Sequence, residues 1–171
     1  MDAAAATVSP QPESRVPARQ YLTFELAGQD YGVEILRVQE IKGWERPTRL
    51  PHSPPHIQGV INLRGAVVPI IDLRCRFGLP ESPQTHNTVV IVVRVEAARG
   101  ELTAGLVVDA VCEVCDLSSE QLRAPPEMDA GVDAQFVRGL AMLGERMLVL
   151  LDVAHLLGTT LGEPTAASRA A

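Results

Sequence analysis

The residues with the clearest capacity for metal or redox chemistry are the two cysteines of a Cys-x-x-Cys pattern, Cys112 and Cys115. A tetrahedral zinc site needs two more ligands, and His52 and His56 are the only paired candidates. The surrounding AVCEVC segment has a strand-like pattern, in which side chains three positions apart point to opposite faces of the sheet. The two thiols are therefore not expected to chelate together. We interpret them as small core or boundary residues, the usual fate of free cysteine.

The other nucleophiles and bases match no catalytic template. No serine lies in a Gly-x-Ser-x-Gly context, and neither the dinucleotide fingerprint nor the phosphate-binding loop occurs. The proline-rich loop 46–56 places His52 and His56 in solvent, while His86 and His155 are isolated in the sequence. The sequence therefore predicts a protein that is not an enzyme and has no metal and no cofactor. A small cytosolic enzyme using a cleft between two lobes is the alternative.

Two charged residues are candidates for recognition instead. Arg64 lies in NLRG (62–65), at the tip of a predicted hairpin, where its guanidinium can make a forked contact with a partner carboxylate. The alternative interpretation is a solvated turn charge, since most surface charges contribute little. Glu40 follows a possible helical turn and is either a partner contact or the polar side of an amphipathic segment.

Composition excludes several classes of partner. The formal charge is −6 and only 4% of residues are aromatic, so the chain has neither a broad cationic field nor a stacking platform for nucleic acid. No apolar run approaches the roughly 18 residues of a membrane span, and the N-terminus does not resemble a signal peptide. Three cysteines are too few for a disulfide framework, which favours the reducing cytosol.

The elements that must position these residues are mostly short strands. In YLTFELA (21–27) apolar residues alternate with Thr23 and Glu25, which predicts a half-buried strand. VEILRVQEI (33–41) fits a helical turn followed by a strand, or a strand alone. The segments 60–63 and 66–71 flank Arg64-Gly65, a two-residue hairpin signal.

The second half repeats these signals. The nearly continuous apolar run TVVIVVRV (88–95) predicts a strand covered on both faces, and further strands follow a turn around Arg99-Gly100. SSEQL (118–122) predicts one capped turn before Pro125-Pro126 breaks the chain. Each half then ends in a hairpin and a short helix capped by an aspartate, Asp72 or Asp152.

The two halves align with each other. Gly59, Leu63, Asp72 and Gly78 match Gly139, Leu143, Asp152 and Gly158 at an offset of eighty positions (139 − 59, 158 − 78). Upstream, 32–41 aligns with 105–114 at an offset of seventy-three (105 − 32). We interpret this as a duplication of one small barrel, with the two copies packed together and a groove at their junction.

The ordered blocks closely resemble those of CheW proteins, the adaptors that join bacterial chemoreceptors to a histidine kinase. The resemblance rests on segments 21–41, 56–74, 87–93, 105–114 and 139–157. It implies a mainly β fold of two intertwined SH3-like five-stranded barrels with short helices. We expect a CheW-like domain at 20–158, with lobes near 20–80 and 87–158 whose terminal elements can cross, and flexible tails at 1–19 and 159–171.

The resemblance also implies the partners. These are the regulatory domain of a CheA-type histidine kinase, the cytoplasmic tip of chemoreceptors and other CheW copies in arrays, with no direct membrane insertion. A CheW-like adaptor of a non-flagellar chemosensory pathway is the alternative within the family. The positions that correspond to partner-binding or coupling residues of the family are Val38, Glu40, Gly59, Arg64, Val89, Gly105 and Val114.

Overall fold

The computed structural model describes residues 19–97, 100–124 and 135–162. The predicted turn residue Arg99, the Pro125-Pro126 break, residues 1–18 of the predicted N-terminal tail and residues 163–171 of the predicted C-terminal tail lie outside these residues. Within the described ranges the strands are β1 Arg19–Leu26, β2 Gln29–Glu34, β3 Val38–Gly43, β4 Ile57–Leu63, β5 Ala66–Asp72, β6 Val89–Ala97, β7 Gly100–Val108, β8 Ala110–Leu117, β9 Leu122–Arg123, β10 Val137–Leu143 and β11 Arg146–Leu151. The short helices are α1 Leu73–Arg76 and α2 Val153–Leu157.

The strands form two sheets that share strands from both halves of the sequence. One sheet has the order β8-β1-β2-β11-β10-β9 and the other has the order β3-β6-β7-β5-β4. Parallel pairing joins β2 to β11 and β5 to β7, whereas the other neighbours are antiparallel. Each half thus gives its first hairpin to the other half's sheet. The predicted mainly β, two-lobed fold is confirmed. Each sheet combines strands from 20–80 with strands from 87–158, so neither barrel is one continuous stretch of the sequence.

The internal repeat is visible in the strand pairing. The β4–β5 and β10–β11 hairpins both shift register beside a glycine, at Gly59 and at Gly139. In the parallel ladders Gly105 lies opposite Ile70, and its counterpart Gly32 lies opposite Leu150. Both sequence offsets therefore correspond to equivalent places in the two barrels.

Local signals in the sequence account for the ends of these elements. Arg64 and Gly65 have φ angles of 52° and 88°, as a tight turn between antiparallel strands requires. The Asp72 carboxylate accepts hydrogen bonds from the backbone N–H groups of Arg74 and Cys75, which begins α1, and Asp152 begins α2 by the same means. Between β2 and β3 the chain forms a 3₁₀ turn, so the open interpretation of 33–41 resolves as a helical turn followed by a strand.

Strand β1 differs from the half-buried strand that its alternation predicts. Thr23 is only 1% exposed, although Glu25 on the same face of β1 is exposed. Its hydroxyl accepts a hydrogen bond from the Glu113 N–H and donates one to the Glu113 carbonyl. The contact falls where the β1–β8 register shifts, so this threonine satisfies the backbone of an irregular ladder.

Three apolar clusters make up the core. A large central cluster takes residues from both sheets, including Phe24 of β1 and Val93 of β6, and each barrel has a smaller cluster of its own. Helical structure continues past α2 as a π-helical turn at Gly158–Gly162, and Leu161 packs against the central cluster. Residues 159–162, which the sequence assigns to the C-terminal tail, thus form a helical turn in the structure.

A bidentate ion pair ties the two sheets together at one side of the central core. Arg74, at the start of α1, donates from Nε and Nη2 to the Asp109 carboxylate at 2.9 and 2.5 Å. The same carboxylate accepts from the Ala27 N–H in the β1–β2 turn at 2.9 Å. Since α1 follows β5 of one sheet and Ala27 follows β1 of the other, Asp109 connects both.

We expect Asp109→Asn to lower stability at neutral pH by about 1–2 kcal/mol, because a hydrogen bond to a charged group is lost. The hydrogen bonds from Arg74 lower the pKa of Asp109 below its ordinary value of 3.8. The contribution of the ionised Asp109 carboxylate to the free energy of unfolding is therefore fully present above pH 3.8. It disappears as the pH falls through the depressed pKa. Thermal unfolding should show wild type and variant converging in acid. Glu101→Gln, which removes an exposed ion pair with Arg94, is the control and should change little.

Candidate partner-binding site

Two of the predicted site residues, Glu40 and Arg64, form an ion pair with each other. Arg64 Nη2 lies 2.6 Å from Glu40 Oε2. Glu40 is on β3 and Arg64 is at the tip of the β4–β5 hairpin, at the two opposite edges of the five-stranded sheet. Together with a bridge between Thr48 and Val60, the pair helps to close this sheet into a barrel.

The exposure of the two side chains differs. Arg64 is 76% exposed and Glu40 is 20% exposed. Since a guanidinium carries five N–H donors, Arg64 can hold Glu40 and still present donors to solvent. The sequence predicts that the Arg64 guanidinium contacts a carboxylate of a partner. In the structure it contacts the Glu40 carboxylate of the same chain, and its remaining N–H donors face outward.

A groove lies beside this ion pair, with a cavity volume of about 530 Å³. Its walls come from β3, the β4–β5 hairpin, the β6–β7 hairpin and the C-terminal turn, so both halves of the sequence contribute. Val67, at 72% exposure, is an apolar side chain open to solvent on its rim. The principal lining residues besides Val67 are Gln39, Arg64, Arg94, Leu102 and Leu161.

Val38 and Val89 are placed to shape this surface rather than to protrude from it. Both are half-buried and pack against the central core. Val38 pairs with Val93, and Val89 pairs with Gly43 on one side and Val108 on the other. Substitutions at either valine would act mainly by moving β3 and β6.

The two predicted glycines have no room for a side chain. Gly59 has a φ of +147°, and a Cβ there would lie 2.2 Å from the carbonyl oxygen of Thr48. At Gly105 a Cβ would lie 2.6 Å from Val90 Cγ1 and 2.7 Å from Ile70 Cδ1. Both positions therefore require glycine for conformational reasons, as expected at close approaches.

Val114 is separate from the other predicted residues. It is a half-exposed residue on β8, in the six-stranded sheet. Its counterpart at the offset of seventy-three is Ile41 on β3, which is also half-exposed. The structure thus brings Glu40 and Arg64 together and leaves Val114 on the second barrel. The other four predicted residues lie in the same five-stranded sheet as the ion pair: Val38, Gly59, Val89 and Gly105.

Sequence reasoning missed Ile41, Val67 and Leu161. Val67 had a detectable signal, because alternation along 66–71 points it away from the barrel once Val68 and Ile70 point inward. Leu161 had none, since it belongs to a segment with tail-like composition.

The cysteines and histidines show no metal-binding arrangement in the described part of the chain, where no three His, Cys, Asp or Glu side chains cluster. Cys112 is exposed, whereas Cys115 packs against the core of the six-stranded barrel. Burial raises the pKa of both thiols, which disfavours the reactive thiolate. The prediction of a solvated His56 is wrong: it is half-buried, and burial, with a smaller effect of Arg76, lowers its pKa.

Two interlocked barrels and an open groove on the five-stranded sheet, with a charged pair on its rim, are the architecture of a scaffolding protein. The CheW-like domain family matches residues 20–160. The chain belongs to the CheW family of chemotaxis adaptor proteins. Family membership also confirms the prediction that it is not an enzyme.

Individual relatives agree with this assignment. The chemotaxis protein CheW of Klebsiella aerogenes is 43% identical over 141 residues, covering 82% of each chain. A probable chemotaxis protein CheW of Rhizobium etli is 38% identical over 145 residues, covering 85% of this chain and 91% of the relative. The crystal structure of the scaffolding protein TtCheW from Thermoanaerobacter tengcongensis superimposes with a TM-score of 0.75 at 32% identity, covering 87% of this chain and 98% of that one.

Among the described residues, no helix is both long enough and apolar enough to span a membrane.

Proposed function

We propose that this protein couples chemoreceptors to a CheA-type histidine kinase in a signalling array. The observation that carries the proposal is the Glu40–Arg64 pair, which joins the two edges of one barrel beside an open groove. A protein that transmits a conformational state by contact needs surfaces whose relative positions are fixed. The closed barrel, the central core and the Asp109–Arg74 ion pair provide that rigidity.

The two partners would use adjoining surfaces. The groove, with Val67 and Leu102 as apolar contacts and Arg94 on its wall, suits the cytoplasmic hairpin tip of a receptor. Strand β3, with Ile41 half-exposed beside Glu40, suits the regulatory domain of the kinase. The adaptor makes and breaks no covalent bond, works in the cytoplasm, and reaches the membrane only through receptor contacts and other copies of itself.

We expect Arg64→Glu to weaken binding of the kinase regulatory domain by about tenfold, because it breaks the Glu40 contact and places two carboxylates together. Isothermal titration with the cognate regulatory domain and, separately, with a soluble receptor hairpin fragment measures the effect. Arg146→Glu is the matched control, since Arg146 is an exposed arginine beside the other hairpin tip and pairs with Asp30 at 2.8 Å.

The double variant Glu40→Arg/Arg64→Glu restores an opposite-charge pair in reversed order. We expect it to recover the thermal unfolding midpoint but not the kinase affinity, because the partner then meets reversed charges. Wild-type protein that binds neither the regulatory domain nor the receptor fragment would refute the proposed function.

A further inference from the structure

A cluster of arginines surrounds one carboxylate at the end of β2, in the six-stranded sheet. Glu34 Oε1 accepts from Arg19 Nη1 at 3.1 Å and from Arg138 Nη1. The Nε of Arg37 lies 4.0 Å from the other carboxylate oxygen. The three guanidinium groups thus converge on Glu34 from β1, from the 3₁₀ turn after β2, and from β10. We call these four residues the arginine cluster.

The charges in this cluster do not balance. Three guanidinium groups face a single carboxylate, which leaves a local excess of about two positive charges in a chain whose formal charge is −6. Glu34 is only 15% exposed, whereas the three arginine side chains are between 40% and 59% exposed. The carboxylate is therefore enclosed while the positive groups face solvent.

A small cavity of about 190 Å³ adjoins the cluster. Arg138 and Arg123 are both part of its wall, and the apolar residues there include Tyr21, Leu122 and Leu150. Arg123 donates from Nη1 to the backbone carbonyl of Glu120, a contact that leaves its charge intact. The surface thus combines cationic groups with an apolar recess beside them.

We infer that the arginine cluster, with Arg123 at its edge, binds an acidic segment of a protein partner. Glu34 demonstrates the chemistry, because its carboxylate is already held by converging guanidinium donors, the favoured geometry for this group. The apolar recess suits an aliphatic side chain next to the acidic residue. A free phosphate has no such side chain, and a long nucleic acid would be repelled by the negative charge of the rest of the chain.

This surface is distinct from the one assigned to the kinase and receptor. Arg19, Glu34 and Arg138 lie on the six-stranded sheet and Arg37 lies in the 3₁₀ turn that joins it to β3, whereas Glu40, Arg64 and the groove lie on the five-stranded sheet. The inference goes beyond the proposed function, and its failure would leave coupling to kinase and receptor intact. If it holds, the adaptor has a further docking surface for an acidic protein.

The test uses the full chain and a short fluorescein-labelled peptide in which Glu alternates with Leu. Fluorescence anisotropy measures its affinity against the same peptide with Gln in place of Glu. We expect Arg19→Gln and Arg138→Gln each to weaken binding of the acidic peptide by about three- to fivefold, as for exposed charge pairs. Glu34→Gln should strengthen it, because the internal carboxylate no longer competes for the donors.

Arg146→Gln is the matched control: it removes an exposed, paired arginine at the turn end of the β10–β11 hairpin, whereas Arg138 lies near the opposite end, and it should leave the affinity unchanged. Circular dichroism confirms that each variant is folded. Undiminished binding by the Arg19→Gln/Arg138→Gln double variant would overturn the inference. So would displacement of the peptide by pyrophosphate or by a single-stranded oligonucleotide at equal concentration, since either identifies a general polyanion site.

Discussion

Replacement of Gly59 by alanine is expected to destabilise the protein by about 2–4 kcal/mol, or roughly 5–15 °C in unfolding midpoint for a chain of this size. The added Cβ would lie 2.2 Å from the Thr48 carbonyl oxygen and 2.7 Å from its carbon, both backbone atoms. Thr48 cannot move without losing its two hydrogen bonds with Val60, each 2.9 Å long. The positive φ at position 59 adds strain for any residue with a Cβ.

Two other glycines serve as controls for this prediction. A Cβ at Gly43 would contact nothing within 4 Å, so Gly43→Ala should be nearly neutral. Gly139 is the counterpart in the second barrel, where a Cβ would approach the Arg123 oxygen to 2.9 Å, and an intermediate loss is expected. Differential scanning calorimetry of the three variants gives the order. An equal midpoint for Gly59→Ala and Gly43→Ala would show that Thr48 does not confine the site.

Gly105→Ala is expected to cost about 1–3 kcal/mol through overpacking of the five-stranded barrel. Its Cβ would lie 2.6 Å from Val90 Cγ1 and 2.7 Å from Ile70 Cδ1. Both neighbours are buried in the core of that barrel and have little space into which to withdraw. Strand β7 must therefore separate from β6 or β5. Strand β5 is the second strand of the hairpin that carries Arg64.

The repeat supplies a matched control for Gly105. At the equivalent Gly32 a Cβ would lie 3.1 Å from Leu150 Cδ2 and 3.3 Å from Leu148 Cδ2, distances that a small shift can relieve. Gly32→Ala should therefore be milder. Combining Gly105→Ala with Val90→Ala should destabilise less than the sum of the single changes, because truncating Val90 removes the closer contact. Strict additivity in urea denaturation would contradict this explanation.

Signals carried by a few neighbouring residues predicted the local structure well. The Arg64-Gly65 turn, the Asp72 and Asp152 caps and the run 88–95 all depend on backbone preferences or on side chains close in sequence. The prediction that Cys112 and Cys115 do not chelate together also depends on strand alternation alone, and it stays a prediction.

Features created by strand exchange were not predictable in the same way. Thr23 is buried because β8, from the other half of the chain, pairs with β1. Asp109 contacts Arg74 only because α1 and the β7–β8 corner meet across two sheets. The apolar pattern defines which face of a strand is buried, but it does not identify the strand's neighbours.

The candidate site also combines features that the sequence predicts with features that depend on how the strands pair. Family resemblance selected Glu40 and Arg64 as separate residues, and their contact across twenty-four positions depends on closure of the barrel. His56 was misplaced because its proline-rich surroundings are typical of exposed loops, whereas its carbonyl accepts from the Asp72 N–H at 2.7 Å and holds the loop against β5. The partner-binding roles of all seven residues stay predictions, namely those of Val38, Glu40, Gly59, Arg64, Val89, Gly105 and Val114.

The exchange of hairpins between the two halves determines when each barrel can form during synthesis. When a ribosome has released only the first half, β3, β4 and β5 exist without β6 and β7, which complete their sheet. The β1–β2 hairpin at that stage lacks β8 and β11, its partners on either side. Neither barrel can close before the second half emerges, so the nascent chain must carry unpaired strand edges and exposed apolar faces through most of its synthesis.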